Sequence, residues 1–129
     1  KKRASYGEIA ERWPTIAERW VGAKFHRPAT ADLSIGGLAV SVKPLFSEAW
    51  PDGTIEDVAV WMNLEVPTDE AVRGALRLMT RADPAVESIA TFVDVRRGRV
   101  WTGTGGNFVD ADEWLERAGA QLLEEAMGD

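Results

Sequence analysis

Apolar and polar side chains alternate without a miss from Asp57 to Val66: Val58, Val60, Met62, Leu64 and Val66 on one side, Asp57, Ala59, Trp61, Asn63 and Glu65 on the other. A period of two is that of a β-strand. The pattern predicts a strand over 57–66 that buries its even-numbered face and leaves the odd-numbered face wetter, as in an antiparallel sheet. Residues 32–43 read the same way, with Leu33 and Ile35 before Gly36-Gly37 and Leu38, Val40 and Val42 after it. The glycine pair is either a two-residue hairpin turn or a bulge in one long strand. Pro44 ends that ladder, and Glu48 to Thr54, with Pro51-Asp52-Gly53, reads as a turn-rich loop. Residues 87–96 and 99–104 predict a further hairpin around Arg97-Gly98, where glycine supplies the left-handed turn position.

Three segments carry the helical period instead. Ile9-Ala10-Glu11-Arg12-Trp13 recurs verbatim as Ile16-Ala17-Glu18-Arg19-Trp20, and Tyr6, Ile9, Trp13, Ile16 and Trp20 fall at steps of three and four, on one stripe. Ser5 and Glu8 have the spacing of a capping box, which predicts a helix from about Ser5 to Gly22. Pro14 deletes one hydrogen bond inside it, so the segment is either one kinked helix or two short ones. Thr68 caps a second helix with Asp69 and Glu70 in its first turn and an apolar face of Val72, Ala75, Leu76 and Met79, stopped at Asp83-Pro84. Asp110 and Glu113 cap the last, whose stripe is Trp114, Leu115, Ala118 and Leu122 and which runs to about Met127. The predicted order is α(α)ββαββα: a two-layer α+β fold whose antiparallel or mixed sheet of at least four strands carries helices over one face.

The chain of 129 residues is the size of one domain with one core. Charge divides it into two parts. Residues 1–27 hold seven Lys/Arg against Glu8, Glu11 and Glu18, a balance of +4; residues 28–129 hold eight against eighteen Asp/Glu, a balance of −10. A basic helical arm on an acidic body can dock onto that body, onto another copy or onto an acidic partner, while the body repels nucleic acid. Having no cysteine, the chain cannot form disulfides, thiolate metal sites or thiol nucleophiles. No apolar run approaches the length of a membrane span, and Lys1-Lys2-Arg3 leads into charged sequence rather than a leader's apolar stretch, so a cytoplasmic protein without membrane association is expected.

Candidate chemistry is sparse. Gly103-Thr104-Gly105-Gly106 lies between a strand and a helix, but Phe108 stands where a dinucleotide-binding loop needs its third glycine. His26 is the single histidine, and no serine sits in a nucleophile elbow. Glu48, Asp52, Glu56 and Asp57 crowd one segment, as a Mg²⁺ or Ca²⁺ site or an acid/base pair would, without the spacing of a known calcium loop. Arg73, Arg77 and Arg81 repeat every four residues, with Asp69 as a partner on the same helix, and read as a solvated face. Tyr6-Gly7-Glu8-Ile9-Ala10 resembles the Tyr-x-Glu-Ile-Ala found in many helix-turn-helix helices; since Trp13-Pro14 stands where their glycine turn belongs, no such motif is assigned.

Six tryptophans are many for this length, and tryptophan is enriched where proteins bind one another. Trp13, Trp20 and Trp114 lie on helix stripes. Trp61, between Ala59 and Asn63 with Asp57 and Glu65 at the ends, is suited to a basic, partly apolar ligand unless another element covers that face. The expected function is a non-enzymatic protein–protein interaction domain (an adaptor, regulator or immunity-type inhibitor) that needs no cofactor or metal. Trp61, Trp50, Glu65, Asp57, Arg96, Arg97 and Arg99 are its partner-binding candidates, and the partner is another protein, basic in character. Self-association through Tyr6, Ile9, Trp13, Ile16 and Trp20 is a further expectation. The alternatives are a nucleic-acid-associated factor using Lys1, Lys2, Arg3 and the arginines of 96–99, or a small carboxylate-dependent metal hydrolase using the 48–57 segment.

Overall fold

The computed structural model describes residues 2–83, 88–104, 108 and 110–128, with the backbone alone for residues 2–6 and 8. The chain folds as mixed α+β. Helix α1 (Lys2–Ala17) runs through Pro14 and continues as a 3-10 turn, Glu18–Trp20. Strands β1 (Lys24–His26), β4 (Phe46–Ala49), β5 (Ile55–Trp61), β6 (Ser88–Asp94) and β7 (Arg99–Gly103) form one sheet in the order β1-β4-β5-β6-β7. Its neighbours are antiparallel except β5 and β6, which run parallel because α2 (Asp69–Ala82) crosses between them. Strands β2 (Ala31–Ile35) and β3 (Leu38–Val42) make a separate hairpin, and α3 (Ala111–Gly128) closes the chain.

Helices cover both faces of the sheet, where the sequence predicted one. On one face Ile16 and Trp20 bury against Val58, Val93 and Val95, with Ile9, Trp13, Phe46 and Trp50 packed around them. On the other, Val72, Leu76 and Met79 of α2 meet Ala90 and Phe92, flanked by Ala59 and Trp61. The even and odd residues of β5 therefore serve two cores, which is why its alternation does not separate a dry face from a wet one. The predicted arm is thus built into the body: its stripe covers the sheet and β1 is the sheet's edge. Tyr6 and the Ser5/Glu8 pair lie outside the described side chains, and the helical backbone already begins at Lys2, three residues before the predicted cap.

Three further differences have local causes. Strand β1 falls in the segment read as arm, and β4 runs into the start of the loop read from Glu48; each is too short for a period of two to register. The arginines of α2 are bridged rather than solvated: Arg73 reaches Asp110 at 2.5 Å, Arg77 holds both oxygens of Asp112 at 2.6 and 2.9 Å, and Arg81 lies 3.7 Å from Glu116. Leu122 is exposed, and Gly119 takes the buried place on α3. The glycine pair is a hairpin turn, with φ of 59° at Gly36 and 87° at Gly37, and that turn presses on α3.

A Cβ at Gly119 would overlap the carbonyl oxygen of Ile35, and one at Gly36 would overlap that of Glu116. Backbone cannot rotate away as a side chain can, so Gly119→Ala must lift the hairpin off the helix, an overpacking cost of about 3 kcal/mol. The gain in helix propensity returns about 1 kcal/mol. We expect a net loss of about 2 kcal/mol in denaturant melts, whereas Gly7→Ala on open α1, with nothing near the added carbon, keeps or raises stability.

A clamped apolar loop as the candidate interface

Strand β5 stops at Trp61 although the alternation runs on to Val66. Its neighbour β6 ends at Asp94, the register partner of Trp61, and then turns. Past that point no backbone is available to pair with, and side chains take over. The amide of Val95 donates to the Trp61 carbonyl at 3.2 Å. Arg96 donates through Nε to the Met62 carbonyl at 2.5 Å, Arg97 donates to the Leu64 carbonyl, and the indole N–H of Trp61 donates to the Glu65 carbonyl at 2.9 Å. Arg97 is held in turn by both oxygens of Asp94, at 3.2 and 3.0 Å, and Asp94 is fully buried. Charge-assisted donors on main-chain carbonyls fix the loop's path without using its side chains.

Those side chains point to water. Met62, Leu64 and Val66 are all exposed, Leu64 to 71%. Pro67 is buried, and Thr68 starts α2 by accepting from the amide of Ala71 at 3.1 Å, so both ends of the loop are anchored. Single exposed apolar residues are ordinary; here three fall within five residues of a loop anchored at both ends, alongside exposed Asn63 and Glu65.

Of the partner-binding candidates, Trp61, Glu65, Arg96 and Arg97 come together here: Trp61, Arg96 and Arg97 donate to the loop's carbonyls, and Glu65 accepts through its carbonyl while its side chain stays exposed. Trp61 packs tilted on Phe92 at 6.1 Å beside α2, which covers the face left open in the sequence reading. Arg96 is 8% exposed, so it supports the loop from behind. Arg99 is exposed on β7, with its guanidinium 4.8 Å above the ring of Trp101. Trp50 lies at the other end of β5, half-buried, and donates to Glu56 at 2.9 Å. Asp57 is buried in the interior and offers a partner nothing. Met62, Leu64 and Val66 escaped the sequence reading because they continue a strand-like period; the nearby Arg96-Arg97-Gly98 turn was the sign that the neighbouring strand ends first.

The crowded carboxylates of 48–57 do not converge. Asp52 accepts from the amide of Thr54 within its own turn, at 2.9 Å, which holds its carboxyl below the usual range. Glu56 faces α1 and accepts from Arg19 at 3.2 Å, Trp50 at 2.9 Å and Thr91 at 2.6 Å. Asp57 faces α2 and accepts from Ser47 at 2.5 Å. Burial, then a hydrogen bond shared with the Asp83 carboxyl, pushes the Asp57 carboxyl up to about 7. Among the described residues no group of three or more His, Asp or Glu is arranged to hold a metal ion. His26 is exposed on β1. The glycine-rich stretch from Gly105 lies outside the described residues, as does Lys1, and Lys2 and Arg3 are described by backbone alone. No described helix is long and apolar enough to cross a membrane.

A second apolar feature lies on the α1 side of the sheet, at the β1 edge. Trp13, Trp20, Val21, Phe25 and Phe46 line a groove of about 390 Å³ with Glu48 on its wall. Phe25 is 74% exposed. Trp20 and Phe46 meet edge to face at 5.0 Å. The indole N–H of Trp20 is buried and has no acceptor among the described residues.

Compared with known proteins, the chain matches no family model, no curated sequence and no solved structure.

Proposed function

We propose that this chain is a non-enzymatic protein–protein interaction domain and that the loop 62–66 is its contact point. The supporting observation is the clamp: Trp61, Arg96 and Arg97 hold the loop's carbonyls while Met62, Leu64 and Val66 face solvent. A fold spends side-chain donors on a loop when its position matters, and a loop ordered in advance loses little entropy on binding. An apolar knob on a rigid frame is the anatomy of a hot spot, in which a few fully desolvated side chains carry most of the affinity.

The test separates binding from folding. Leu64→Asp and Met62→Asp alter exposed side chains whose backbone contacts remain, so stability should stay within about 0.5 kcal/mol of the wild type. Each should abolish capture of a discrete partner from native lysate, read by affinity purification and mass spectrometry. Equal capture by wild type and both variants would remove the loop from the interface.

A further inference from the structure

At the end of β5 away from the loop, a buried carboxylate aims an arginine. Glu56 is fully buried and both of its oxygens are occupied: the indole N–H of Trp50 donates to one at 2.9 Å, while Thr91 and Arg19 donate to the other at 2.6 and 3.2 Å. Taking a carboxylate out of water is costly, and a buried ion pair seldom repays that cost in stability alone. What this pair achieves is orientation. Arg19 stands in the turn Glu18–Trp20 and gives Glu56 only its Nε–H, so its two terminal nitrogens keep no acceptor among the described residues. A guanidinium fixed through Nε offers those terminal N–H groups as a fork that matches a carboxylate.

Arg19 forms one wall of a pocket of about 300 Å³ with Trp50, Asp52, Thr54, Glu56 and Ile89. That is the lower end of the size range of small-molecule sites, roughly 300–1,000 Å³. Asp52 is exposed on the pocket's wall and has no cation in ion-pair reach among the described residues. The amide of Thr54 holds its carboxyl below the usual range, so it is charged at neutral pH. A simple anion entering this pocket meets Asp52, and a simple cation meets Arg19. A molecule that carries a carboxylate and an ammonium group together finds a partner for each and adds no net charge. The ring of Trp50, anchored through its N–H, and the side chain of Ile89 supply apolar wall for a short substituent.

We propose that this pocket binds a small zwitterion of the α-amino-acid class, its carboxylate on the terminal N–H groups of Arg19 and its ammonium group on Asp52. The site shares no residue with the loop 62–66 and is independent of the reading of that loop.

The indole N–H of Trp50 reports on the pocket, and Trp50→Phe assigns its resonance among the six tryptophans. Each common L-amino acid is titrated alone into the wild-type protein and followed in proton–nitrogen correlation spectra. At least one with a short apolar side chain, such as L-leucine, should shift that resonance saturably. Its counterparts without the carboxylate or without the ammonium group (isoamylamine and isocaproate for L-leucine) should bind at least about tenfold more weakly, the loss of one charge-assisted contact. Arg19→Lys keeps a cation beside Glu56 but loses the fork; Asp52→Asn keeps the turn's acceptor but loses the charge. Each should weaken binding by about tenfold or more, with melting curves to confirm folding, and Asp52→Asn, being exposed, carries the test by itself should Arg19→Lys unfold. No saturable shift with any amino acid overturns the proposal. So does an amine or an acid that binds as tightly as the parent amino acid, or binding that a folded variant of either residue leaves unchanged.

Discussion

Raising the pH from about 4 to about 7 should cost this protein stability, and Asp57→Asn should remove most of that loss. Asp57 sits in the interior with Ser47 donating to one carboxyl oxygen and the Asp83 side chain hydrogen-bonded beside it. Its folded value lies near 7 against an ordinary 3.8. A carboxyl raised on folding is favoured in its neutral form, so its contribution is fully present below the ordinary value and disappears as pH climbs through the folded one. The difference of about three pH units corresponds to roughly 4 kcal/mol at 1.36 kcal/mol per unit. Asparagine keeps the shape, accepts from Ser47 and donates to Asp83 without ionising. Asp112 works in the opposite direction: the Arg77 hydrogen bond holds its carboxyl low, so stability also falls at acid pH. Urea melts across pH should thus show a wild-type maximum on the acid side of neutrality and a nearly level Asp57→Asn curve from pH 5 to 8. Parallel curves for the two proteins would contradict this account of Asp57.

Trp20→Ala should cost about 3–5 kcal/mol, the range for deleting a large buried aromatic. Trp20 is 7% exposed, meets Trp13 at 6.1 Å and Phe46 at 5.0 Å, and belongs to the cluster that ties α1 to β5 and β6. Its loss frees the helix that packs on β5 and β6 from one side of the sheet. Thermal melting is the readout, and a shift of only a degree or two would mean that α1 is dispensable to the fold. Trp20→Phe keeps much of the volume and also removes the unpaired N–H, so it should cost far less.

What the sequence made legible follows from where local and global forces agree. Helix α2 was read almost to the residue, because Thr68, its acidic first turn and the Val72/Leu76/Met79 face all favour the same helix. The turn at Gly98 is legible through its glycine, and Gly36-Gly37 marks a break in the 32–43 ladder without deciding between a hairpin and a bulge; positive φ at all three, which few other residues tolerate, makes both of them hairpin turns. Errors arose where pairing decided. The Asp57–Val66 alternation cannot say that β6 turns at Val95 and leaves the chain beyond Trp61 without a neighbour. Nor can it tell a strand with one buried face from a central strand between two layers. Of the candidate site, Trp61, Glu65, Arg96 and Arg97 stand out in the sequence; that Trp61, Arg96 and Arg97 donate to the carbonyls of the chain beyond β5, leaving Met62, Leu64 and Val66 exposed, depends on pairing no local pattern records. Asp57 looked like surface charge because nothing local records that Ser47, two strands' width of packing and the end of α2 enclose it.

The central claim, that the loop 62–66 is where this protein meets its partner, is tested most directly by placing a photo-crosslinking amino acid at position 64 in cells and comparing it with position 124, which is also exposed, on α3. The account predicts a discrete, light-dependent adduct from position 64 and none from position 124, and the adduct's mass tells a second copy of this chain from a different protein. The same faint pattern from both positions, or no adduct from position 64, would contradict it.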